Sequence, residues 1–170
     1  WYIMGLLQVS TNTVSSAVAS VTLTGIDSDD VYMVAYSNVF MSSSGAQNRI
    51  RFTVSGSADT SSNYDRASKQ MYTNQSFFNS SNTNGDHISS LGLGTTSTQP
   101  DLGLIYLYNF NNSSEFSFVT REQIQTNTAS EVAGIMGGAV LTVSQACDGI
   151  QFFASTGNIA SGTFTLYKVV

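Results

Sequence analysis

Charge is scarce in this sequence. Asp, Glu, Lys and Arg make up 10% of its 170 residues, against roughly 25% in soluble globular domains. The six cations, Arg49, Arg51, Arg66, Lys69, Arg121 and Lys168, are scattered along a chain whose formal net charge is −5. Binding a phosphate backbone requires clustered cations, so this distribution argues against nucleic acid as a partner. One cysteine, Cys147, permits no internal disulfide and reads as a small buried apolar residue. That cysteine and the one histidine, His87, fall short of a zinc ligand set. The longest nearly uncharged apolar run, Val132 to Val143, spans 12 residues, where a membrane-crossing helix needs about 18, so no membrane insertion is expected. A single proline, Pro100, leaves almost every backbone N–H free for sheet ladders. A start at Trp1 rather than Met is expected of a fragment or a processed product.

What fills the chain instead is uncharged polarity: 27 Ser, 18 Thr, 13 Asn and 9 Gln. Hydrophobic residues still reach 41%, with ten Phe and eight Tyr, which is enough to build a core and excludes disorder by composition. Helical spacing is nearly absent, and alternation with period two replaces it. Ala17, Ala19, Val21 and Leu23 alternate with Val18, Ser20, Thr22 and Thr24; Ile50, Phe52 and Val54 alternate with Arg49, Arg51, Thr53 and Ser55. Leu102 to Phe110 is apolar on both faces, as is Val31 to Phe40, where Tyr32, Val34, Tyr36 and Phe40 oppose Val31, Met33 and Val39. Such strands are central in a sheet or covered by another chain. Phe116 to Arg121, Ala139 to Val143, Ile150 to Ser155 and Thr163 to Val169 complete the candidate strands. Turn-rich stretches separate them, among them Ser55 to Tyr64 and Ser76 to Asp86. The pattern predicts an all-β chain: one antiparallel β-sandwich or jelly roll over residues 17–170, with 1–16 an N-terminal arm or first strand.

No catalytic constellation stands out. His87 follows an Asn84-Gly85 turn, and an extended Asp86-His87 would point the two side chains apart. The three Glu, Glu115, Glu122 and Glu131, show no pairing pattern for glycoside hydrolysis. Asp27, Asp29 and Asp30 lack the Gly and Glu of a calcium loop, and Asn82, Asn84 and Asp86 read as turn residues. The four glycosylation sequons, at Asn74, Asn79, Asn111 and Asn112, carry little weight in a chain this rich in Ser and Thr. No enzyme activity, metal or cofactor is expected. Tyr64, Tyr72, Phe77 and Phe78 lie among Ser, Asn and Gln, a vocabulary suited to stacking on sugar rings, and are the candidate ligand-binding residues. Trp1, Tyr2, Ile3, Leu6 and Leu7 would be costly to leave in water, which makes them candidates for an oligomer interface.

The segment Asp148-Gly149-Ile150-Gln151-Phe152-Phe153 and the following Ser155-Thr156-Gly157-Asn158-Ile159-Ala160-Ser161-Gly162-Thr163, closing with Leu166-Tyr167-Lys168, resembles the C-terminal segment of virion fibre proteins of tailed phages, of the marine and cyanophage type. Val21-Thr22-Leu23-Thr24-Gly25-Ile26, Val31-Tyr32 and Arg49-Ile50-Arg51-Phe52 are similar to the opening of the same proteins. Lys168 departs from the Gly usual after the Tyr. The resemblance implies a jelly-roll or concanavalin-like sandwich carried on a virion. It would be a tail-fibre or receptor-binding-tip domain serving host attachment, assembled as a homotrimer beside other virion proteins and able to touch a host surface glycan. A capsid decoration or head-fibre protein and a carbohydrate-binding module are the alternatives. The pair Ile150 to Ser155 and Thr163 to Val169 is expected to form an antiparallel hairpin around Gly157-Asn158.

Overall fold

The computed structural model describes residues 5–73, 77–92, 99–126 and 131–170, with no side-chain detail at 91 and 92. Among them there is no helix. The strands are β1 (Leu6–Val14), β2 (Ser20–Thr24), β3 (Tyr32–Met41), β4 (Gln47–Val54), β5 (Ser57–Ala58), β6 (Tyr64–Tyr72), β7 (Phe78–Gly85), β8 (Ile88–Gly92), β9 (Asp101–Tyr108), β10 (Ser117–Thr126), β11 (Val132–Leu141), β12 (Gly149–Ala154) and β13 (Ile159–Val169). They form an eight-stranded sheet in the order β1-β13-β3-β9-β10-β11-β6-β7 and a five-stranded sheet in which β2-β12-β4-β5 is joined by β8 on β4. Every pairing is antiparallel. The fold is therefore the all-β antiparallel sandwich that the alternation predicts.

The inward rows meet as one apolar core. Val21 and Leu23 of β2, Ile50 and Phe52 of β4 and Ile150 and Phe152 of β12 face Val34 and Tyr36 of β3, Ile105 and Leu107 of β9, and Phe164 and Leu166 of β13, all buried. Aromatic rings carry the contact between sheets: Phe152 lies 4.8 Å from Phe164 and 5.6 Å from Tyr36, spacings at which tilted rings attract beyond their buried area. Cys147 is fully buried, and burial pushes its thiol up to about 11, which keeps it protonated.

Three expectations from the sequence are corrected. Ile150–Ser155 and Thr163–Val169 do not pair with each other: β12 lies between β2 and β4, and β13 between β1 and β3. The turn at Gly157, at φ 69°, carries the chain from one sheet to the other, so the aromatic rows of the two strands meet face to face instead of side by side. In β3, Asn38 adopts φ 54° beside a register shift. The resulting bulge exchanges the faces expected for Val39 and Phe40, and Val39 is buried. The stretch Ser76 to Asp86, expected as a loop, contains β7, which pairs with β6 at the sheet edge.

Candidate functional site

On the central strands of the eight-stranded sheet, alternation places one row in the core and the other outside. In β10 the inward row is Ser117, Val119, Arg121, Gln123 and Gln125, all buried, and the outward row is Phe118, Thr120, Glu122 and Ile124, all exposed. Cross-strand pairing continues the outward row into neighbours: Leu104 and Met136 flank Glu122, Leu102 and Gly134 flank Ile124, and Tyr106 flanks Thr120. Leu104, Tyr106, Phe118, Ile124 and Met136 are each exposed over 37% to 54% of their surface. Because Ala35, Ser37 and Gly134 are small, a trough of about 690 Å³ runs across this face between Tyr167 and Met71. From β13 to β6 the charged side chains of the outward row, among the described residues, are Asp65, Lys69 and Glu122. Large exposed apolar side chains next to one another on one face are unusual in a monomeric soluble protein and mark a contact surface.

The aromatic ligand candidates separate into two groups. Tyr64 is fully buried; its hydroxyl accepts from Phe52 N (3.0 Å) and donates to Asp59 O (3.0 Å), and its ring packs edge-on to Phe52. No ligand reaches it, so Tyr64 is corrected from a candidate binding residue to a core residue. Its hydroxyl is pushed well above the usual tyrosine range, chiefly by that burial, and stays protonated. Tyr72, Phe77 and Phe78 do come together where β6 pairs with β7: Tyr72 and Phe78 rings meet edge-on at 5.8 Å, and the Lys69 ammonium sits 5.7 Å over the Phe77 ring. Phe77 is 65% exposed.

Of the interface candidates, Trp1, Tyr2 and Ile3 lie outside the described residues. Leu6 and Leu7 head the edge strand β1 and are 51% and 57% exposed, so this chain's own core does not cover them.

Asp86 and His87, expected to diverge, are in contact. The bend between β7 and β8 brings Asp86 Oδ1 to 2.6 Å from His87 Nδ1, while Arg51 Nη2 donates to Asp86 Oδ2 at 2.6 Å. His87 is held below the usual histidine range, mainly by burial, and Asp86 below the usual carboxylate range, mainly by the His87 bond. An orienting carboxylate beside a histidine is two-thirds of a hydrolytic triad. Among the described residues no hydroxyl bonds the other ring nitrogen. The acidic turn is likewise dispersed: Asp27 accepts from the Tyr32 hydroxyl, Asp29 from Asn112, and Asp30 pairs with Lys168 at 2.7 Å.

One polar cluster escaped sequence reasoning altogether. Asp101, fully buried, accepts from Asn48 Nδ2 (3.1 Å) and Gln123 Nε2 (2.7 Å). Burial pushes its carboxyl up to about 7 and the nearby buried Arg121 down to about 10. Asn48 Oδ1 and Gln123 Oε1 accept nothing from the described residues. The candidate strand Phe116 to Arg121 stops short of Gln123, whereas β10 runs Ser117–Thr126 and its alternation turns Arg121 and Gln123 inward.

Comparison with protein-family models, with curated proteins and with solved structures found no match to this chain.

Proposed function

We propose that this chain is a non-catalytic structural domain of a tailed-phage virion, a tail-fibre or receptor-binding-tip domain that assembles as a homotrimer and serves host attachment. The observation that carries this is the apolar outer face of the eight-stranded sheet. Six strands at about 4.8 Å spacing and about eight residues at 3.3 Å give roughly 760 Å² of plan area. Side-chain relief raises this toward the ~800 Å² per partner of a stable interface. Three such faces turned toward a three-fold axis close a prism in which each is covered by its neighbours. The segments that resemble phage fibre proteins, at 21–26, 31–32, 49–52 and 148–168, fall largely in β2, β4, β12 and β13, with Tyr32 opening β3, so the resemblance concerns strands of both sheets and no single loop. Antibodies raised against the chain and imaged on intact particles test the location. Label at fibre ends is expected, label over the capsid shell favours a head-decoration protein, and unlabelled particles refute the virion assignment.

A second reading, a carbohydrate-binding module, draws on the Tyr72, Phe77 and Phe78 group. Ring faces bordered by Asn and Gln stack on sugars. Screening the protein and a Phe77→Ala variant on a glycan array tests it: loss of a wild-type signal supports this reading, and an unchanged signal removes the β6–β7 edge from it.

A further inference from the structure

Although the six cations are scattered along the sequence, the fold gathers two of them with the one histidine. Arg49 and Arg51 stand two residues apart on β4 and so share its outward face. Phe153 of β12 is the cross-strand partner of Arg49. The Arg51 guanidinium lies 4.5 Å over the Phe153 ring, and His87 meets that ring edge-on at 6.1 Å. Around this centre the outward face is uncharged and polar: Gln151 donates to the Thr22 hydroxyl at 3.2 Å, and Ser89 is paired with Arg49.

Charge compensation across the cluster is uneven. Both oxygens of Asp86 are engaged, one by Arg51 and one by His87, and Asp59 acts electrostatically on Arg51. Arg49 has no carboxylate among the described residues. Its Nη2 makes one long bond, 3.4 Å to Gln47 Oε1, and its buried Nε meets no acceptor. A half-buried guanidinium that meets no carboxylate is a receptor for a planar anion, because low local dielectric strengthens the attraction and its planar donor edge of Nη1 and Nη2 matches a carboxylate. An aromatic ring beside it, with amides and hydroxyls around, suits a polyhydroxylated ring. An extended phosphodiester chain needs several cations in a row, and among the described residues this face has one cation without a carboxylate partner, Arg49, on a chain of net charge −5.

We propose that the outer face of the five-stranded sheet, centred on Arg49 and Phe153, binds an acidic sugar, with Arg49 clasping its carboxylate and Phe153 backing its ring. This deepens the attachment part of the proposed function by naming a ligand class and rests on that reading for its biological role. The site is on the opposite sheet from the assembly face.

The test is a titration of the intact protein with trigalacturonate, maltotriose and sodium acetate, followed by amide chemical shifts. Trigalacturonate is expected to shift the amides of β4, β12 and β8. Maltotriose and acetate are each expected to bind about tenfold more weakly, since each lacks one half of the recognition. Arg49→Gln should weaken trigalacturonate about tenfold, as for loss of a hydrogen-bond pair to a charged group, while its spectrum confirms the fold. Arg49→Lys, which keeps charge without the fork, should fall between. Equal binding of trigalacturonate and maltotriose, unchanged binding by Arg49→Gln, or no shift on this face overturns the proposal. Sugar-binding failure leaves the oligomer mass untouched, and a monomeric mass leaves the titration untouched, so the two claims fail separately.

Discussion

Asp101 shows what a single residue can do to the pH response of this fold. Its carboxyl, normally near 3.8, is pushed up to about 7 by burial, so the folded chain retains a proton that the unfolded chain releases. The stability it contributes is complete below about pH 4 and is lost as pH rises through 7. Asp101→Asn keeps the shape, and its amide finds an acceptor if Asn48 or Gln123 rotates its unpaired oxygen toward it. The expected outcome is that the variant's chemical-denaturation stability, measured relative to wild type, rises steadily between pH 4 and 8; a flat difference would show that the carboxylate titrates normally. Tyr64→Phe should lower stability by about 1 to 3 kcal/mol by stranding the Phe52 N–H, whereas Phe77→Ala should change it by less than about 0.5 kcal/mol. Thermal melts of both variants check this. Tyr64, Tyr72, Phe77 and Phe78 look alike in sequence, because each is an aromatic in a polar neighbourhood. Their fates differ because Tyr64 begins β6 against Phe52, a contact between residues 12 apart across two sheets, and no local pattern encodes it.

At the scale of elements, alternation revealed the strands that have an apolar inward row, such as β4 and β9. It failed for β7, Phe-Asn-Ser-Ser-Asn-Thr-Asn-Gly, whose residues are almost all polar. An edge strand is held by one ladder alone, and polar side chains on it also discourage further pairing. The same limit explains the misplaced hairpin: turn chemistry at Gly157 signals a reversal but not whether the returning strand stays in its sheet. Close strand approach is a further element-level constraint. A Cβ on Gly137 of β11 would meet Ala67 O and lie 2.6 Å from Ser68 Cα, whereas one on Gly5 would meet nothing within 4 Å. Gly137→Ala is therefore expected to destabilise by about 1 to 3 kcal/mol through overpacking, and Gly5→Ala to be neutral. Equal melting temperatures for the two would show that β11 and β6 can separate without cost.

For the molecule as a whole, scarcity of charge takes different forms on the two outer faces. On the five-stranded sheet it leaves Ser, Thr and Gln around one cationic centre. On the eight-stranded sheet it leaves Leu104, Ile124 and Met136 in the open with Glu122 among them. The two-faced character of Leu102 to Phe110 was visible in sequence, together with its two explanations, a central strand or a covered one. The fold makes β9 central and still leaves its outer row exposed, which is the physical case for assembly through that face. Sedimentation velocity across a wide concentration range, on the wild-type chain and on Ile124→Glu, tests this most directly. The expected result is a wild-type species at three times the 18.2 kDa chain mass and a variant shifted to monomer with its fold intact. A wild-type chain that sediments as a monomer at every concentration, with Ile124→Glu indistinguishable from it, would contradict assembly through this face.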